Sequence, residues 1–234
     1  MQFIYLIIIS QNTDFVKNIL TDFEWRNLAL KGYRLYIIRH GQTEANEKGI
    51  YIGKTDFPLS DKGRNELVEK LDEYEYPGVE RVYLSPAVRC VQTSYILFKD
   101  RESIVVNDLR ELDFGEFDGK SVEELINRDD YKAWLKGGMD NSPPGGESIA
   151  DMITRVYSAL DRIILNMMDE DLTTAAIVTH SGIIANMLSC FGLPKYKPDE
   201  ITCKPGEGFE ILVTAQLWQQ AQAFEILGRV PFLR

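Results

Sequence analysis

The stretch over residues 34–46, RLYIIRHGQTEAN, restricts the possible folds more than any other part of this chain. It opens with an apolar run over 35–38, of the β-branched and aromatic kind that builds buried strands. The run ends abruptly in Arg39, His40 and Gly41. In open α/β sheets, ligands bind just beyond the carboxyl ends of the strands. A glycine there permits either a close approach of the backbone to a ligand or a positive φ. The stretch predicts a strand with a reactive imidazole at its tip, or else a strand followed by an ordinary polar turn.

The remainder of the chain alternates between strand-like and helix-like patterns. Strands are predicted at 34–38, 79–84, 104–106, 175–179, 209–214 and 223–230, and helices at 61–74, 85–99, from 121 onward, at 147–168 and at 183–191. In the first helix Leu67, Val68 and Leu71 are predicted to face inward, and Pro86 is expected in the first turn of the second. The alternation predicts a single α/β domain over 33–234, with three α/β/α layers around a largely parallel sheet.

Residues 1–32 are predicted to be an N-terminal extension of unclear status. The apolar run over 3–9 is shorter than the ~20 residues of a membrane span, and it lacks the features of a signal peptide. Residues 13–30 could form an amphipathic helix. Alternatively, the segment is not native, and translation starts near Leu30 on a non-AUG codon.

Composition limits the range of partners. The formal net charge of −10 argues against non-specific binding to nucleic acid or to an anionic membrane. Any bound anion must therefore be held by a local cluster of cationic groups. The three cysteines are scattered and lack CxxC spacing, so they predict neither a disulfide framework nor a zinc site and are typical of a cytoplasmic protein. The sequence carries no signal for an oligomeric state.

The chain has only two histidines, His40 and His180. Each follows an apolar run, and a glycine comes one residue after His40 and two residues after His180. If the two strands are neighbours, both imidazoles meet at one edge of the sheet. Each histidine could instead be a satisfied structural residue. A metal is a further alternative, but zinc normally takes three or four protein ligands and no third is evident. No metal and no cofactor are predicted.

Two further residues complete a pattern that suits phosphoryl chemistry. Arg89 lies just past the strand over 79–84, in the predicted first turn of a helix where the dipole favours an anion. Arg39 and Arg89 offer planar forks that match phosphate oxygens, and His180 could donate as an imidazolium. A neutral His40 is a nucleophile near physiological pH. Glu111, when protonated, could protonate the leaving oxygen and so contribute ~10²–10⁴ in rate.

The segment RHGQTEAN resembles the signature of the histidine phosphatase (phosphoglycerate mutase-like) superfamily, and the matching positions extend over about residues 34–191. The matches are Arg39, His40 and Asn46 in the first motif, Ser85, Arg89 and Thr93 in the second, Glu111 in the acid motif, and His180 in a late H-x-G. The resemblance implies a phosphohistidine on His40, with Glu111 as acid and then as base. It also implies that Arg39, Asn46, Arg89 and His180 hold the phosphoryl group, without a metal.

Within this superfamily the segments YIGKTDFPL, LRELDFGEFDG and PPGGES resemble α-ribazole phosphatases and small broad-specificity phosphatases. The expected activity is therefore hydrolysis of a phosphorylated small metabolite, with α-ribazole 5'-phosphate as one candidate. Two alternatives remain, a cofactor-dependent phosphoglycerate mutase and a non-catalytic phosphate-binding regulatory module. The mutases usually carry Glu-Arg-His-Tyr at the acid motif, whereas Glu111 is followed here by Leu-Asp-Phe. The chain also departs from many relatives at Ser181, in place of glycine, and at Ala185, in place of arginine.

Overall fold

The computed structural model describes residues 31–234. Its strands are β1 (Gly32–Arg39), β2 (Tyr74–Glu75), β3 (Arg81–Leu84), β4 (Glu102–Val105), β5 (Thr174–Thr179), β6 (Gly192–Leu193), β7 (Gly208–Thr214), β8 (Phe224–Val230) and β9 (Phe232–Leu233). Its α-helices are α1 (Glu44–Glu47), α2 (Asp61–Glu73), α3 (Val88–Leu97), α4 (Val122–Leu125), α5 (Asp129–Lys136), α6 (Ile149–Asp169), α7 (Ser181–Phe191) and α8 (Ala215–Ala221).

Seven strands form one central sheet in the order β4-β3-β5-β1-β7-β8-β6. Strand β1 lies in the middle, parallel to β5 and antiparallel to β7. Strand β7 is the only strand of this described sheet that runs against the others. The largely parallel α/β sheet predicted from the sequence is therefore confirmed. The strands predicted at 209–214 and 223–230 are found as β7 and β8, and they pair in antiparallel orientation.

Both faces of the sheet are covered, which explains why β1 is a continuous apolar run rather than an alternating one. Leu35 and Ile37 pack on one face with residues of α6, α7 and α8. Tyr36 and Ile38 point the other way and pack with residues of α2 and α3. Three layers result, and the carboxyl end of β1 emerges between the two helical layers.

A separate small core lies in residues 114–146, here called the cap segment. Phe117, Leu125 and Tyr131 are buried against one another, and Tyr51 and Trp134 pack on them. Helix α4 in this segment follows residue 121, where a helix was predicted to begin, and it starts with a capping box. The Ser121 hydroxyl accepts from the N–H of Glu124, and the Glu124 carboxylate accepts from the N–H of Ser121. The cap segment therefore has packing of its own above the sheet edge.

The structure differs from three predictions about where elements begin and which residues they bury. Helix α3 begins at Val88 and not at residue 85, because Ala87 is extended, and Pro86 consequently lies before the helix. The prediction that Val68 faces inward is wrong: it is 52% exposed, since helical neighbours point about 100° apart and Leu67 takes the buried position. Strand β1 begins at Gly32, one residue inside the predicted extension.

The helix predicted over 13–30 lies outside the described residues. Between Lys31 and the last residue, none of the helices has the length and apolar character needed to cross a bilayer.

Candidate active site

The two histidines meet at the carboxyl edge of the sheet. His40 follows β1 and His180 follows β5, the adjacent parallel strand, in which Arg39 is in register with Thr179. The backbone N–H of His40 donates to the Thr179 carbonyl at 2.9 Å. The two ring centroids are 5.3 Å apart, with an interplanar angle of 66°. The predicted pairing of the imidazoles is therefore found in the structure.

His40 is held in one tautomer. Its Nδ1 lies 2.7 Å from the Gly41 carbonyl oxygen, which can only accept, so Nδ1 carries the proton. Burial lowers the pKa of His40 to about 3, with further lowering by the charges of Arg89 and Arg39 against the opposing Gly41 hydrogen bond. The ring is consequently neutral near pH 7, and Nε2 carries the lone pair. This is the form in which an imidazole acts as a nucleophile.

His180 is completely buried and is also neutral. Burial lowers its pKa well below the ordinary value, and the neighbouring His40 and Arg89 lower it further. Its Nδ1 accepts from Arg89 Nη2 at 3.2 Å, so Nε2 carries the proton and donates to the Ser85 hydroxyl at 2.8 Å. The expected imidazolium form does not hold in this arrangement, because a charged ring would lose its hydration and face the Arg89 cation.

Arg89 supplies a buried cation. It lies in the first turn of α3 and is 1% exposed. Its Nη2 donates to His180 and, at 3.4 Å, to the Ile52 carbonyl, whereas Nε and Nη1 have no hydrogen-bond partner among residues 31–234. The carboxylate of Asp56 lies 3.6 Å from Nη1, beyond hydrogen-bond distance. A buried guanidinium with unpaired donors is costly and is suited to an anionic ligand.

Glu111 provides the carboxyl group of the site. Burial raises its pKa, against the opposing effects of the Leu112 N–H and of the charges on Arg89 and Arg155. The Leu112 N–H donates to Oε1 at 3.0 Å. A Cβ on Gly182 would lie 2.8 Å from the same oxygen, which explains why glycine follows Ser181 in the motif. A carboxyl with a raised pKa can carry and release a proton near neutral pH.

Asn46 and Arg39 are each held by hydrogen bonds that leave one group of the side chain without a partner among the described residues. Asn46 Oδ1 accepts from the Thr43 N–H and hydroxyl, so its amide nitrogen is the end that can donate to a ligand. Arg39 Nη1 donates to the Cys203 carbonyl at 2.9 Å, and its Nε is buried without a partner in the described chain.

A cavity of about 330 Å³ contains the site. It brings His40, Asn46, Arg89 and Glu111 together on its lining, while Arg39 and His180 do not line it. His180 lies behind Arg89 as its hydrogen-bond partner. Arg39 still acts on both histidines, because its charge lowers their pKa values.

Gly41 has a role other than the two considered from the sequence. Its φ is not positive, and a Cβ there would lie 2.6 Å from Leu67 and 3.0 Å from Leu59 side-chain atoms. Its N–H donates at 2.9 Å to the hydroxyl of Thr93, which in turn donates to the Arg89 carbonyl at 2.7 Å. Glycine therefore lets the loop after β1 lie close to α2, while Thr93 connects that loop to α3.

The sequence did not predict a group of hydrogen bonds from Arg155, here called the clamp, that holds the backbone on which Glu111 lies. Arg155 on α6 donates through Nε and Nη2 to the Glu147 carboxylate at 2.6 and 2.8 Å. Its Nη1 donates to the carbonyls of Asp108 and Arg110 at 2.7 and 2.8 Å, and Nη2 also donates to the Glu111 carbonyl at 3.1 Å. Three of these five bonds go to backbone carbonyls more than forty positions away in sequence, which leave no residue pattern. No sequence signal could have found the clamp.

Asp56 was also missed as a site residue. Its carboxylate accepts from the N–H of Val88 at 3.0 and 3.1 Å, at the start of α3, beside Arg89. Its signal was present but weak, since it lies in the irregular segment YIGKTDFPL. It anchors that segment to the helix that carries the buried cation.

An α/β sheet with a neutral histidine, a buried arginine and a protonatable carboxyl at one strand edge defines an enzyme of phosphoryl-group chemistry. The model of the histidine phosphatase superfamily (branch 1) matches residues 35–221, and the chain belongs to this superfamily. It is a phosphatase enzyme whose relatives act on phosphorylated small molecules.

Named relatives differ in substrate. The adenosylcobalamin/α-ribazole phosphatase of Salmonella typhimurium is 26% identical over 160 residues, which are 67% of this chain and 78% of the relative. A Hydrogenobacter thermophilus protein whose name places it among phosphoserine phosphatases is 30% identical over 155 residues, 64% of this chain and 74% of its own. The solved phosphoglycerate mutase of Bacillus anthracis superposes with a TM-score of 0.71 at 19% identity, covering 87% of this chain and 95% of its own, and it shows the fold alone.

Proposed function

We propose that the chain hydrolyses the phosphomonoester of a small metabolite through a phosphohistidine on Nε2 of His40. One observation carries the proposal: a neutral His40, fixed as the Nδ1–H tautomer, lines the same cavity as the buried Arg89, whose Nε and Nη1 lack hydrogen-bond partners among the described residues. Uncatalysed hydrolysis of phosphate monoesters is so slow that enzymes reach accelerations of ~10²¹. Positioning and charge stabilisation must supply most of that factor.

The reaction has two displacements. In the first, His40 Nε2 attacks phosphorus as the P–O bond to the leaving group breaks, and Glu111 gives its proton to the departing oxygen. Arg89 and the Asn46 amide donate to the phosphoryl oxygens, Arg39 adds its nearby charge, and His180 supports Arg89 from behind. In the second displacement the Glu111 carboxylate takes a proton from water, and the water oxygen attacks phosphorus as the N–P bond to His40 Nε2 breaks. The products are the alcohol and inorganic phosphate, and both His40 and Glu111 return to their starting forms.

The test is to trap and map the phosphoenzyme. Brief reaction with a labelled phosphate donor should leave a label that survives base and is lost in acid, as expected for a phosphoramidate. Peptide mapping should place it on His40. A label on His180 or on a hydroxyl side chain would contradict the proposal, as would the absence of any labelled enzyme during turnover.

α-Ribazole 5'-phosphate remains a candidate substrate, supported by the motif resemblance and by the named Salmonella relative. A screen of phosphorylated metabolites that includes it tests this choice. The mutase alternative is separated by a coupled assay with 3-phosphoglycerate: we expect release of inorganic phosphate and not conversion to 2-phosphoglycerate. A regulatory module would release no phosphate from p-nitrophenyl phosphate or from any metabolite in the screen.

We expect Arg155 to be a positioning residue for Glu111. Arg155→Gln removes the clamp, so an alkyl phosphate, whose leaving oxygen needs a proton, should lose about 10–10²-fold in kcat/KM, within the range of a general acid. p-Nitrophenyl phosphate should lose much less, because its leaving group needs little protonation. The Arg155 charge lowers the pKa of Glu111, and protonated Glu111 is the active form. Removal of the Arg155 charge should therefore raise the pKa of Glu111 and move the basic limb of the pH profile of kcat/KM to higher pH.

Arg162→Gln is the matched control. Arg162 lies on the same helix and pairs with the side chain of Asp108 on the same loop, but it is 57% exposed and bonds none of the carbonyls that Arg155 holds. It should leave both substrates and the pH profile nearly unchanged. Equal losses of Arg155→Gln on both phosphates would show that Arg155 merely supports the fold.

A further inference from the structure

We infer that the substrate's leaving group is an uncharged alcohol bearing an aromatic or apolar group, seated against Tyr51, Phe114 and Trp134. This inference rests on the proposed phosphatase function and specifies the class of substrate. It follows from the part of the cavity that lies beyond the phosphoryl-binding residues and that the two displacements do not use.

Three aromatic rings form one wall of the cavity. The ring centroids of Tyr51 and Phe114 are 4.8 Å apart, those of Tyr51 and Trp134 are 5.7 Å apart, and those of Phe114 and Trp134 are 6.1 Å apart. The Tyr51 hydroxyl is hydrogen-bonded to Tyr131 at 2.9 Å, and burial raises its pKa, so this ring stays neutral. The wall is held in place by the small core of the cap segment. It is therefore a preformed apolar surface of the kind that binds apolar ligand groups.

Further apolar residues line the same cavity: Ile149 and Met152 on α6, together with Leu112. Apart from the residues assigned to the phosphoryl group and to proton transfer, the polar side chains of the lining are Ser181 and Asn186, both neutral. Asn186 donates through Nδ2 to the Gly182 carbonyl at 2.9 Å, which leaves its oxygen as an acceptor. A hydroxyl of the leaving group could be accommodated there, whereas a charge would have no partner.

The charges on the cavity lining distinguish between neutral and acidic leaving groups. Among the described residues that line the cavity, Arg89 is the only cation, and the phosphoryl group takes it. A carboxylate on the leaving group would thus be desolvated between apolar walls without a counter-ion, which is strongly unfavourable. The substrates 3-phosphoglycerate and phosphoserine both carry such a carboxylate. The site consequently favours neither substrate, although relatives named for both are similar to this chain.

A neighbouring hollow of about 250 Å³ on the other side of Glu111 does not change this conclusion. It contains the cations Lys54 and Arg110. Lys54 is paired with Asp113 at 2.6 Å, and Arg110 Nη1 donates to Asp108 Oδ1 at 3.5 Å and to the Asn107 carbonyl at 3.4 Å. Three carboxyl residues also line the hollow: Asp56, Glu111 and Asp113. Because both cations are already paired, the hollow offers no free counter-ion to an anionic leaving group.

The first experiment compares three alkyl monoesters, so that leaving-group basicity stays similar. We expect kcat/KM of the full chain to fall from 2-phenylethyl phosphate to glycerol 3-phosphate and then to 3-phosphoglycerate, with at least about tenfold between the first and the last. Equal rates, or a preference for 3-phosphoglycerate, would overturn the inference. If phosphohistidine forms and p-nitrophenyl phosphate is hydrolysed, such a result leaves the proposed function intact. If no phosphoester is hydrolysed and no phosphoenzyme forms, the proposed function itself fails and the inference fails with it.

Variants of adjacent residues locate the selectivity. Trp134→Ala should lower kcat/KM for 2-phenylethyl phosphate by about tenfold, the scale of an apolar pocket contact, and change glycerol 3-phosphate much less. Leu135→Ala is the matched control on the same helix; Leu135 is 56% exposed and does not line the cavity, so both rates should remain unchanged. Equal losses in kcat/KM for both esters after Trp134→Ala would contradict the inference that the aromatic wall binds the leaving group.

A second variant is designed to gain a new selectivity, so that the inference can be tested even if Trp134→Ala loosens the packing of the cap segment. Ile149→Lys places a cation on the cavity wall, at the first residue of α6. The ratio of kcat/KM for 3-phosphoglycerate to that for 2-phenylethyl phosphate should rise by about tenfold or more, since the carboxylate acquires a partner. An unchanged ratio in a folded variant would contradict the view that missing charge excludes acidic leaving groups.

Discussion

Replacing His40 with alanine is expected to abolish turnover, with kcat lower by roughly 10⁴–10⁶-fold, the loss typical of removing a nucleophile. The reason is specific to this site. His40 Nε2 is the atom to which phosphorus would be transferred. The chain's other histidine cannot replace it, because His180 is fully buried, with both ring nitrogens hydrogen-bonded. The measurement is single-turnover and steady-state release of phosphate from p-nitrophenyl phosphate.

His180→Ala is the control for the loss of an imidazole as such. It should lose less activity than His40→Ala, because His180 acts through Arg89 and does not line the cavity. It should also retain the acid-labile label that His40→Ala lacks. Both variants should show the circular dichroism of the wild-type chain. More than about one per cent of wild-type kcat in a folded His40→Ala variant would rule out covalent catalysis on this residue.

Replacing Arg89 with alanine is expected to lower kcat/KM by about 10²–10³-fold, or roughly 3–4 kcal/mol, by analogy with the loss of one oxyanion donor. Its Nε and Nη1 are the buried donors without hydrogen-bond partners in the described chain, so they are available to the phosphoryl oxygens. Arg89→Lys should recover little of the loss, because an ammonium cannot reproduce the planar fork. A decrease below tenfold in Arg89→Ala would exclude Arg89 as a principal phosphate ligand.

The unfolding temperature distinguishes this loss of activity from a general loss of folded structure. Arg89→Met retains an aliphatic stem and removes a buried charge whose nearest carboxylate is 3.6 Å away. A buried charge without a hydrogen-bonded counter-ion lowers the stability of the folded state. We therefore expect Arg89→Met to unfold at the same or a higher temperature than the wild-type chain while remaining inactive. Arg110→Met, at a partly exposed arginine of the neighbouring hollow, should retain most of the activity.

The parts of the site that follow strands could be predicted from the sequence. His40 and His180 each stand between a β-branched run and a glycine, and parallel strands bring such ends to one edge of a sheet. Glu111 was singled out through its motif, and it lies on the cavity lining.

Other features depend on contacts that the sequence does not encode locally. The five hydrogen bonds of Arg155 include three to backbone carbonyls, which any residue could supply. The direction of Arg39 depends on the Cys203 carbonyl, 164 positions away. The neutrality of His180 arises from complete burial beside a cation, a property of packing rather than of pattern.

The small core of the cap segment has a consequence for how such an enzyme can diversify. Phe117, Leu125 and Tyr131 pack separately from the two clusters that hold the sheet and its helices. The aromatic wall rests on this small core, whereas His40 and Arg89 depend on β1 and α3. Part of the surface proposed to meet the leaving group thus rests on a packing unit other than the one that holds the reacting groups. Mutations can accumulate in one unit and alter which alcohol is accepted, without moving the atoms that transfer phosphorus.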